Sequence, residues 1–456
     1  MAESVLPPLP DWLTVPSNLN ALGAMWPRGA VRDDQGVLCV GGCSVVELAQ
    51  RFGTPLLVLD ETDFRARAKA WVEAFSGWDV YYAGKAFLSK AVARWVDEEG
   101  LGLDVCSGNE LATALAVGFP ASRIGFHGNN KSLDELRQAV EAGVGRIVVD
   151  CDEEISRLSA IASDLGKHVR VLVRVTTGVD AHTHEYIATA GADQKFGFSL
   201  TNERALAALV ACHETPGLAL AGVHSHIGSQ IFDTAGFSVA AQRTMDLLAA
   251  FRDATGVELE ELDLGGGAGI AYTPADTPVA VEDFHAGLAA IVEENRTRLG
   301  LGALRLSIEP GRAIVGPAGV AVYTVGVVKP QVLEDGSTRV YVSVDGGMSD
   351  NIRPALYHAD YTGVLANRHS DAVPMAVRVV GKHCESGDIL VHDGYLPSDT
   401  RPGDVLALAA CGAYTRSMAS NYNMATKVPV VAVGEGTPRA IMRRETLDDL
   451  LRLDLG

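Results

Sequence analysis

The chain has 456 residues, of which 47% are hydrophobic and 21% charged, a composition typical of a globular protein too long for one compact core. Its formal net charge of -19, without a run of lysines or arginines, argues against binding to nucleic acid or to acidic membranes. The amino-terminal segment does not combine a basic start with an apolar stretch, and no run of about 18 apolar residues follows, so we expect a cytoplasmic protein.

Short β-branched runs alternate with helical patterns from about residue 54 to about residue 310, which is typical of parallel βα units. The predicted strands are residues 55–59, 79–85, 101–106, 123–128, 146–151, 169–175, 218–227, 262–267 and 304–310. A closed (β/α)8 barrel needs only eight strands. We therefore assign the first run to a segment that leads into the barrel, and we begin the barrel at Asp79.

The pattern changes after about residue 318, where strand-like runs are separated by turns and almost no helix is predicted. This pattern is typical of a mostly antiparallel β domain. The sequence thus predicts three regions. Residues 1–53 form an amino-terminal segment that packs with the β domain, residues 54–317 form the barrel, and residues 318–456 form the C-terminal β domain.

Polar residues and glycines follow the predicted barrel strands, at the end of a barrel where active sites are built. They are Lys85, Asp104, His127, Arg174, His226, Gly265–Gly267, Glu309 and Arg312. A single polar residue at a strand end is most often a solvated side chain, and a lone histidine is most often structural. The convergence of all of them on one rim instead indicates an active site.

The glycine run in "LGGGAG" lacks the spacing and the acidic partner of a dinucleotide-binding loop. Glycine backbone amides can approach an anion closely, so the run predicts a phosphate site, to which Arg312 adds charge and Ser229 a hydroxyl group. A lysine, a phosphate site and a carboxylate on one rim together predict pyridoxal phosphate as the cofactor.

Nine motifs now carry a family resemblance: "YYAGKA", "DVCSGNEL", "DQKFGFS", "HSHIGSQ", "LDLGGGAG", "EPGR", "NIRPALYHADY", "CESGD" and "GAYTRSMASNYN". They extend from about residue 80 to residue 423 in the family's order. The chain resembles the barrel-type pyridoxal phosphate decarboxylases of the alanine-racemase-like fold, and most closely the diaminopimelate decarboxylase family.

The resemblance implies roles for individual residues. Lys85 would form the Schiff base with the cofactor, His226 would stack on the cofactor ring, and Glu309 would pair with the pyridine nitrogen. A carboxylate at Glu309 favours decarboxylation over racemisation, because racemases of this fold have an arginine there. The other implied cofactor-binding residues are Asp104, Ser229, Gly265, Gly266, Gly267, Pro310, Gly311, Arg312 and Tyr414.

The resemblance also implies a homodimer with shared active sites, in which Cys384 of one subunit is the proton donor in the site of the other. A thiol is protonated at neutral pH yet releases its proton readily, which suits a general acid. The seven cysteines lack zinc-site spacing and are expected to be mostly free thiols. Whether Cys106 and Cys384 form a disulfide stays open at this point.

The implied substrate is meso-2,6-diaminopimelate, decarboxylated to L-lysine and carbon dioxide in the last step of lysine biosynthesis. Two arginines can bind a carboxylate, and a glutamate can bind an ammonium group. The implied substrate-binding residues would therefore recognise a second amino-acid group at the far end of the substrate. They are Arg312, Arg353, Tyr357, Glu385 and Tyr414. A decarboxylase of carboxynorspermidine or of a basic amino acid is the alternative, and a non-catalytic homologue that binds the cofactor is another.

The paired histidines do not predict a metal site. His182 and His184, like His224 and His226, lack a third ligand at suitable spacing. We therefore expect no catalytic metal.

Overall fold

A computed structural model of the chain describes residues 9–179, 194–200 and 203–456, so His182, His184 and the first residue of the "DQKFGFS" motif lie outside the described residues. The chain divides into two compact units. The barrel unit comprises Arg67–Gly269 and Pro278–Ala313, and the β unit comprises the chain up to Ala66, Ile270–Thr277 and Ile314–Gly456. Among the described residues, every helix is too short or too polar to cross a membrane.

The barrel unit contains a closed barrel of eight parallel strands, as the sequence predicts. Each strand pairs with the next in the chain, and the eighth pairs with the first to complete the ring. We number these barrel strands 1 to 8 in chain order: Asp79–Ala83, Gly102–Val105, Ile124–Phe126, Arg146–Val149, Val169–Thr176, Leu218–His224, Glu261–Asp263 and Arg305–Ile308.

Helices of the barrel unit connect these strands and begin where the sequence supplies capping residues. Ser132 accepts a hydrogen bond from the Glu135 amide while the Glu135 carboxylate accepts from Ser132, which is a capping box. The helices that lie wholly in this unit and have eight or more residues are Lys90–Glu98, Gly108–Leu115, Leu133–Ala142, Asp152–Leu165, Arg204–Glu214, Ala235–Thr255 and Val281–Leu299.

The β unit contains a predominantly antiparallel sheet, again as predicted. Its main path runs, in spatial order, through Ile389–Pro397, Pro374–Val380, Thr338–Val344, Gly319–Val332, Leu56–Asp60, Val430–Gly434 and Thr437–Met442. Val405–Leu408 pairs with Gly319–Val332 and with Gly363–Leu365. The helices Val45–Phe52, Arg353–Tyr357 and Leu447–Leu451 also belong to this unit.

The run that the sequence assigned to the start of the barrel region lies elsewhere. Leu56–Asp60 pairs with Gly319–Val332 on one side and with Val430–Gly434 on the other. All five of its residues are buried, because both faces of this strand are covered. The residues 270–277, within the range predicted as barrel, also belong to the β unit.

The amino-terminal segment shares a hydrophobic core with the sheet of the β unit. The amide of Leu38 donates to the carbonyl oxygen of Ala366 at 2.8 Å, and the guanidinium of Arg32 donates to the carbonyl oxygen of Leu365 at 2.8 Å. Trp26 is buried in the same core. Burial of apolar surface therefore ties this segment to the β unit.

Candidate active site

Lys85 lies in a short 3-10 turn, Gly84–Ala86, directly after barrel strand 1. Its side chain is exposed while Gly84 and Ala86 are buried. A Cβ atom on Gly84 would come within 2.9 Å of the carbonyl oxygen of Asp104, so the turn fits only because glycine lacks a side chain. Burial and, after it, the positive charge of Lys85 lower the pKa of His226 well below its usual range. Lys85 is therefore near enough to affect a neighbouring rim residue electrostatically.

Glu309 follows barrel strand 8 and is buried between two histidines. Its Oε1 lies 2.8 Å from Nε2 of His127, and its Oε2 lies 3.3 Å from Nε2 of His224. Burial opposes ionisation, but the two imidazoles outweigh it and hold the pKa of Glu309 well below its ordinary value. The site therefore keeps an ionised carboxylate out of water.

The two histidines around Glu309 have pKa values that are shifted in opposite directions. Burial would lower the pKa of His127, but the carboxylates of Asp104, 3.6 Å from Nε2, and of Glu309 raise it. Burial lowers the pKa of His224 to about 3, so this imidazole is neutral. Burial also raises the pKa of Asp104. The geometry thus favours an ion pair between His127 and Glu309, with Asp104 behind it.

Removal of His127 should destabilise the protein. His127→Ala leaves the Glu309 carboxylate buried beside a neutral imidazole, and we expect a loss of about 3 to 5 kcal/mol in the free energy of unfolding. Urea unfolding at pH 6 measures it, with the exposed His168→Ala as the matched control. A loss no larger than that of the control would contradict the ion pair.

The ion pair also has a pH window. The raised pKa of His127 stabilises the folded protein fully below about pH 6.5, the pKa of histidine in an unfolded chain. This stabilisation is lost as pH rises through the pKa of His127 in the folded protein. The lowered pKa of Glu309 stabilises the folded protein above about pH 4.3, the pKa of glutamate in an unfolded chain. This stabilisation is lost as pH falls through the pKa of Glu309 in the folded protein. The difference between the wild type and His127→Ala should therefore shrink in alkaline solution.

The glycine run follows barrel strand 7. Gly265 and Gly267 have φ values of 70° and 132°, which favour glycine. Asp263 accepts the Gly265 amide at 2.8 Å, and Nδ1 of His226 accepts the Gly266 amide at 3.2 Å. A Cβ on Gly266 would come within 2.2 Å of the carbonyl oxygen of Glu309, so the run packs directly against the end of barrel strand 8.

Arg312 and Ser229 lie together, as the sequence predicts. Nη2 and Nε of Arg312 donate to the Ser229 hydroxyl oxygen at 3.1 and 3.3 Å. Pro310 and Gly311 join them to barrel strand 1, because the Pro310 carbonyl accepts the Ala83 amide at 3.2 Å. A guanidinium group beside a hydroxyl group fits a phosphate group.

Four of the five predicted substrate residues lie in the β unit, and the fifth, Arg312, lies in the barrel unit. Arg353 begins the helix Arg353–Tyr357 and is buried, with its guanidinium carbon 4.5 Å from the ring centre of Tyr272 and one Nη donating to the Tyr361 hydroxyl. Its Nε has no hydrogen-bond partner among the residues that the structure describes. Tyr357 is half-buried. The guanidinium of Arg353 thus lies against the rings of Tyr272 and Tyr361, and its Nε remains a buried donor without a partner among the described residues.

Cys384 and Glu385 are exposed in the loop between Pro374–Val380 and Ile389–Pro397. Tyr414 is half-buried and adopts a positive φ of 59°. Cys106, like Cys384, is a free thiol, so the structure contains no disulfide between these two.

Sequence reasoning missed how Glu309 is held. It placed His127 on the rim without a role and treated His224 only as half of a histidine pair. Their strand-end positions were the available signal. The two histidines and Glu309 also bring ligand atoms within 4.8 Å of one another, a spacing that a metal site would share, so the lack of a catalytic metal stays a prediction.

Comparison with known proteins decides the family. Residues 61–316 match the family model described as "Pyridoxal-dependent decarboxylase, pyridoxal binding domain". The chain is 53% identical over 439 residues to diaminopimelate decarboxylase of Mycobacterium tuberculosis (strain ATCC 25618 / H37Rv), which covers 94% of this chain and 98% of that protein. The chain belongs to the diaminopimelate decarboxylase family.

Solved structures of this family have the same fold. Diaminopimelate decarboxylase of M. jannaschii, in complex with L-lysine, matches with a TM-score of 0.87 at 30% identity, covering 94% of this chain and 98% of that one. The Helicobacter pylori diaminopimelate decarboxylase, also with L-lysine, matches with a TM-score of 0.82 at 32% identity, covering 90% and 99%. Pyridoxal phosphate is the cofactor of this family of decarboxylases. The guanidinium of Arg312 beside the Ser229 hydroxyl group and the buried carboxylate of Glu309 fit it.

Proposed function

We propose that this protein decarboxylates meso-2,6-diaminopimelate to L-lysine and carbon dioxide in the cytoplasm, as the last step of lysine biosynthesis. The observation that carries the proposal is the buried, ionised Glu309 carboxylate beside the glycine run on the lysine-bearing rim. The similarity to the M. tuberculosis enzyme over 94% of the chain supports the substrate. Seven free thiols are consistent with a reducing compartment.

The barrel residues would hold the cofactor in one orientation. Lys85 would bind it covalently, while Gly265–Gly267, Ser229 and Arg312 would bind its phosphate group. Glu309 would hold a proton on the ring nitrogen, and His226 would lie against the ring face. Bound in this way, pyridoxal phosphate supplies a sink for the electron pair that departing carbon dioxide leaves behind.

The proton that replaces the carboxylate would come from Cys384 of a second subunit. Its exposure on a loop of the β unit is consistent with reaching a partner. A neutral thiol donates a proton to carbon and can recover one from solvent. We therefore propose a homodimer in which each site combines Lys85 of one chain with Cys384 of the other.

Arg353 supports a substrate with a distal carboxylate. Its Nε is a buried donor with no partner among the described residues, and a carboxylate would satisfy it. A substrate that ends in a bare amine, such as ornithine, would leave this donor unsatisfied. Glu385, exposed on the Cys384 loop, would take the distal ammonium group.

The test is release of carbon dioxide by purified protein with added pyridoxal phosphate from meso-diaminopimelate, ornithine, arginine and carboxynorspermidine. We expect at least about a hundred-fold preference in kcat/KM for meso-diaminopimelate, because a buried charged donor discriminates strongly against a substrate that cannot pair with it. Comparable rates with ornithine would overturn the proposed substrate, and no release from any of the four would favour the non-catalytic homologue.

Substitution of Arg353 tests the distal carboxylate directly. We expect Arg353→Ala to weaken binding of meso-diaminopimelate by about 2 to 4 kcal/mol, because a charge-assisted pair at a desolvated site is lost. The measurement is the Michaelis constant, with the exposed Arg401→Ala of the same unit as control. An unchanged Michaelis constant in Arg353→Ala would show that another residue reads this carboxylate.

A further inference from the structure

His383 is buried beside the exposed Cys384, and both of its ring nitrogens have partners. Nε2 lies 2.8 Å from the Ser349 hydroxyl oxygen, and Nδ1 lies 3.0 Å from the side-chain oxygen of Asn423. The ring also lies 5.4 Å from that of Tyr422. An imidazole held at both nitrogens has one orientation and offers no free atom to the neighbouring thiol.

The partners of His383 come from two other segments of the β unit. Ser349 lies in the turn that precedes the helix of Arg353, and Asn423 lies in the same connection as Tyr414, between the strands Val405–Leu408 and Val430–Gly434. The carbonyl oxygen of Ser349 accepts the Ser420 amide at 2.9 Å, which joins these two segments to each other. One side chain thus connects three segments that carry predicted site residues.

A second anchor fixes the base of the Cys384 loop. The Asp388 carboxylate accepts the His383 amide at 2.8 Å and the Met348 amide at 2.6 Å, and the Asp388 carbonyl accepts the Gly381 amide at 2.9 Å. A Cβ on Gly381 would come within 2.2 Å of the Asp388 carboxylate, so the turn closes tightly around this side chain. Asp388 is itself buried.

We propose that His383 is a positioning residue that fixes the loop bearing Cys384 relative to Arg353 and Tyr414. This inference rests on the proposed function, in which Cys384 donates the proton. Positioning is required because a proton donor misplaced by about 1 Å can lose on the order of a hundred-fold in rate. The backbone turn around Asp388 fixes the conformation of the loop. The His383 imidazole fixes the position of the loop relative to the segments of Ser349 and Asn423.

A catalytic acid-base role for His383 is the competing explanation. Its Nδ1 must donate if the Asn423 side-chain oxygen is the acceptor, and Nε2 then accepts from the Ser349 hydroxyl in the neutral ring. Neither nitrogen is left to exchange a proton with the thiol or with a substrate. The contacts therefore favour positioning.

The experiment compares four variants by two readouts. His383→Ala removes the hydrogen bonds of both ring nitrogens, His383→Gln keeps one donor and one acceptor, Asn423→Gly removes only the Nδ1 partner, and the exposed His369→Ala is the matched control. Glycine is chosen at Asn423 because the φ of 52° there strains other residues. The readouts are kcat for carbon dioxide release and the rate at which a neutral maleimide modifies Cys384, followed by mass spectrometry.

We expect His383→Ala to lower kcat by about ten- to a hundred-fold and to change the maleimide rate at Cys384 at least about three-fold. His383→Gln should recover part of both effects, and Asn423→Gly should show both to a smaller degree. Asn423 is exposed, so its variant tests the anchor even if His383→Ala fails to fold. His369→Ala should match the wild type.

Two results would overturn the inference. One is an unchanged maleimide rate and kcat in Asn423→Gly and in either His383 variant that folds. The other is a lower melting temperature as the only effect, which is what a purely structural side chain would give. If Cys384→Ala retains activity, the proton-donor role fails, whereas the maleimide rates still report whether His383 holds the loop, so the two failures are distinguishable.

Discussion

Replacement of Lys85 with alanine should lower carbon dioxide release by several orders of magnitude, the largest effect we expect from any single substitution. The proposed covalent attachment of the cofactor would be lost, because alanine has no amine with which to form it. The measurement is the single-turnover rate with saturating pyridoxal phosphate. Lys90→Ala, another exposed lysine five residues further on, is the matched control and should be active.

The fold should survive this substitution, because the Lys85 side chain is exposed and its removal creates no cavity. Circular dichroism and the urea midpoint should match the wild type. A Lys85→Ala protein within about ten-fold of wild-type turnover would exclude covalent catalysis by this residue.

The second large effect is expected at Cys384. We expect Cys384→Ala to lower kcat by about 10² to 10⁴-fold, the range that a positioned general acid contributes. Cys39→Ala, a partly exposed cysteine of the same unit, is the control and should leave turnover unchanged. A Cys384→Ala protein as active as this control would assign the proton to another group.

The proposed sharing of each active site between two subunits gives a further test of Cys384. An inactive Lys85→Ala chain and an inactive Cys384→Ala chain, mixed under conditions of subunit exchange, should regain up to roughly a quarter of wild-type activity. About half of the dimers are then mixed, and each mixed dimer carries both lesions in one site and none in the other. No recovery after confirmed exchange would place Cys384 in the site of its own chain.

The barrel could be predicted from sequence because each of its strands is a short run of β-branched and apolar residues between helical patterns. The strand Leu56–Asp60 could not be assigned this way. A strand buried on both faces has the same apolar pattern in either sheet, and its partners Gly319–Val332 and Val430–Gly434 are more than 250 residues away. Its place depends on pairing that local pattern does not encode.

In the candidate site, too, local sequence predicts positions along the chain but not contacts between distant segments. The positions of Lys85, Glu309 and the glycine run follow from the rule that barrel chemistry lies at the carboxyl ends of strands. The ion pair of Glu309 with His127 depends on side chains from barrel strands 3 and 8 that meet only in the closed barrel. The Tyr272 ring against Arg353 depends on residues 270–277 joining the β unit, which no local signal indicated.

The most direct test of the central claim is reduction of the purified protein, loaded with pyridoxal phosphate, by borohydride, followed by peptide mapping. Reduction fixes the cofactor to the nitrogen that binds it. We predict one pyridoxyl group per chain, on Lys85, and none in Lys85→Ala. A label on Lys90 or on any other lysine, or a wild-type protein without label, would contradict the assignment of Lys85 as the cofactor-binding residue.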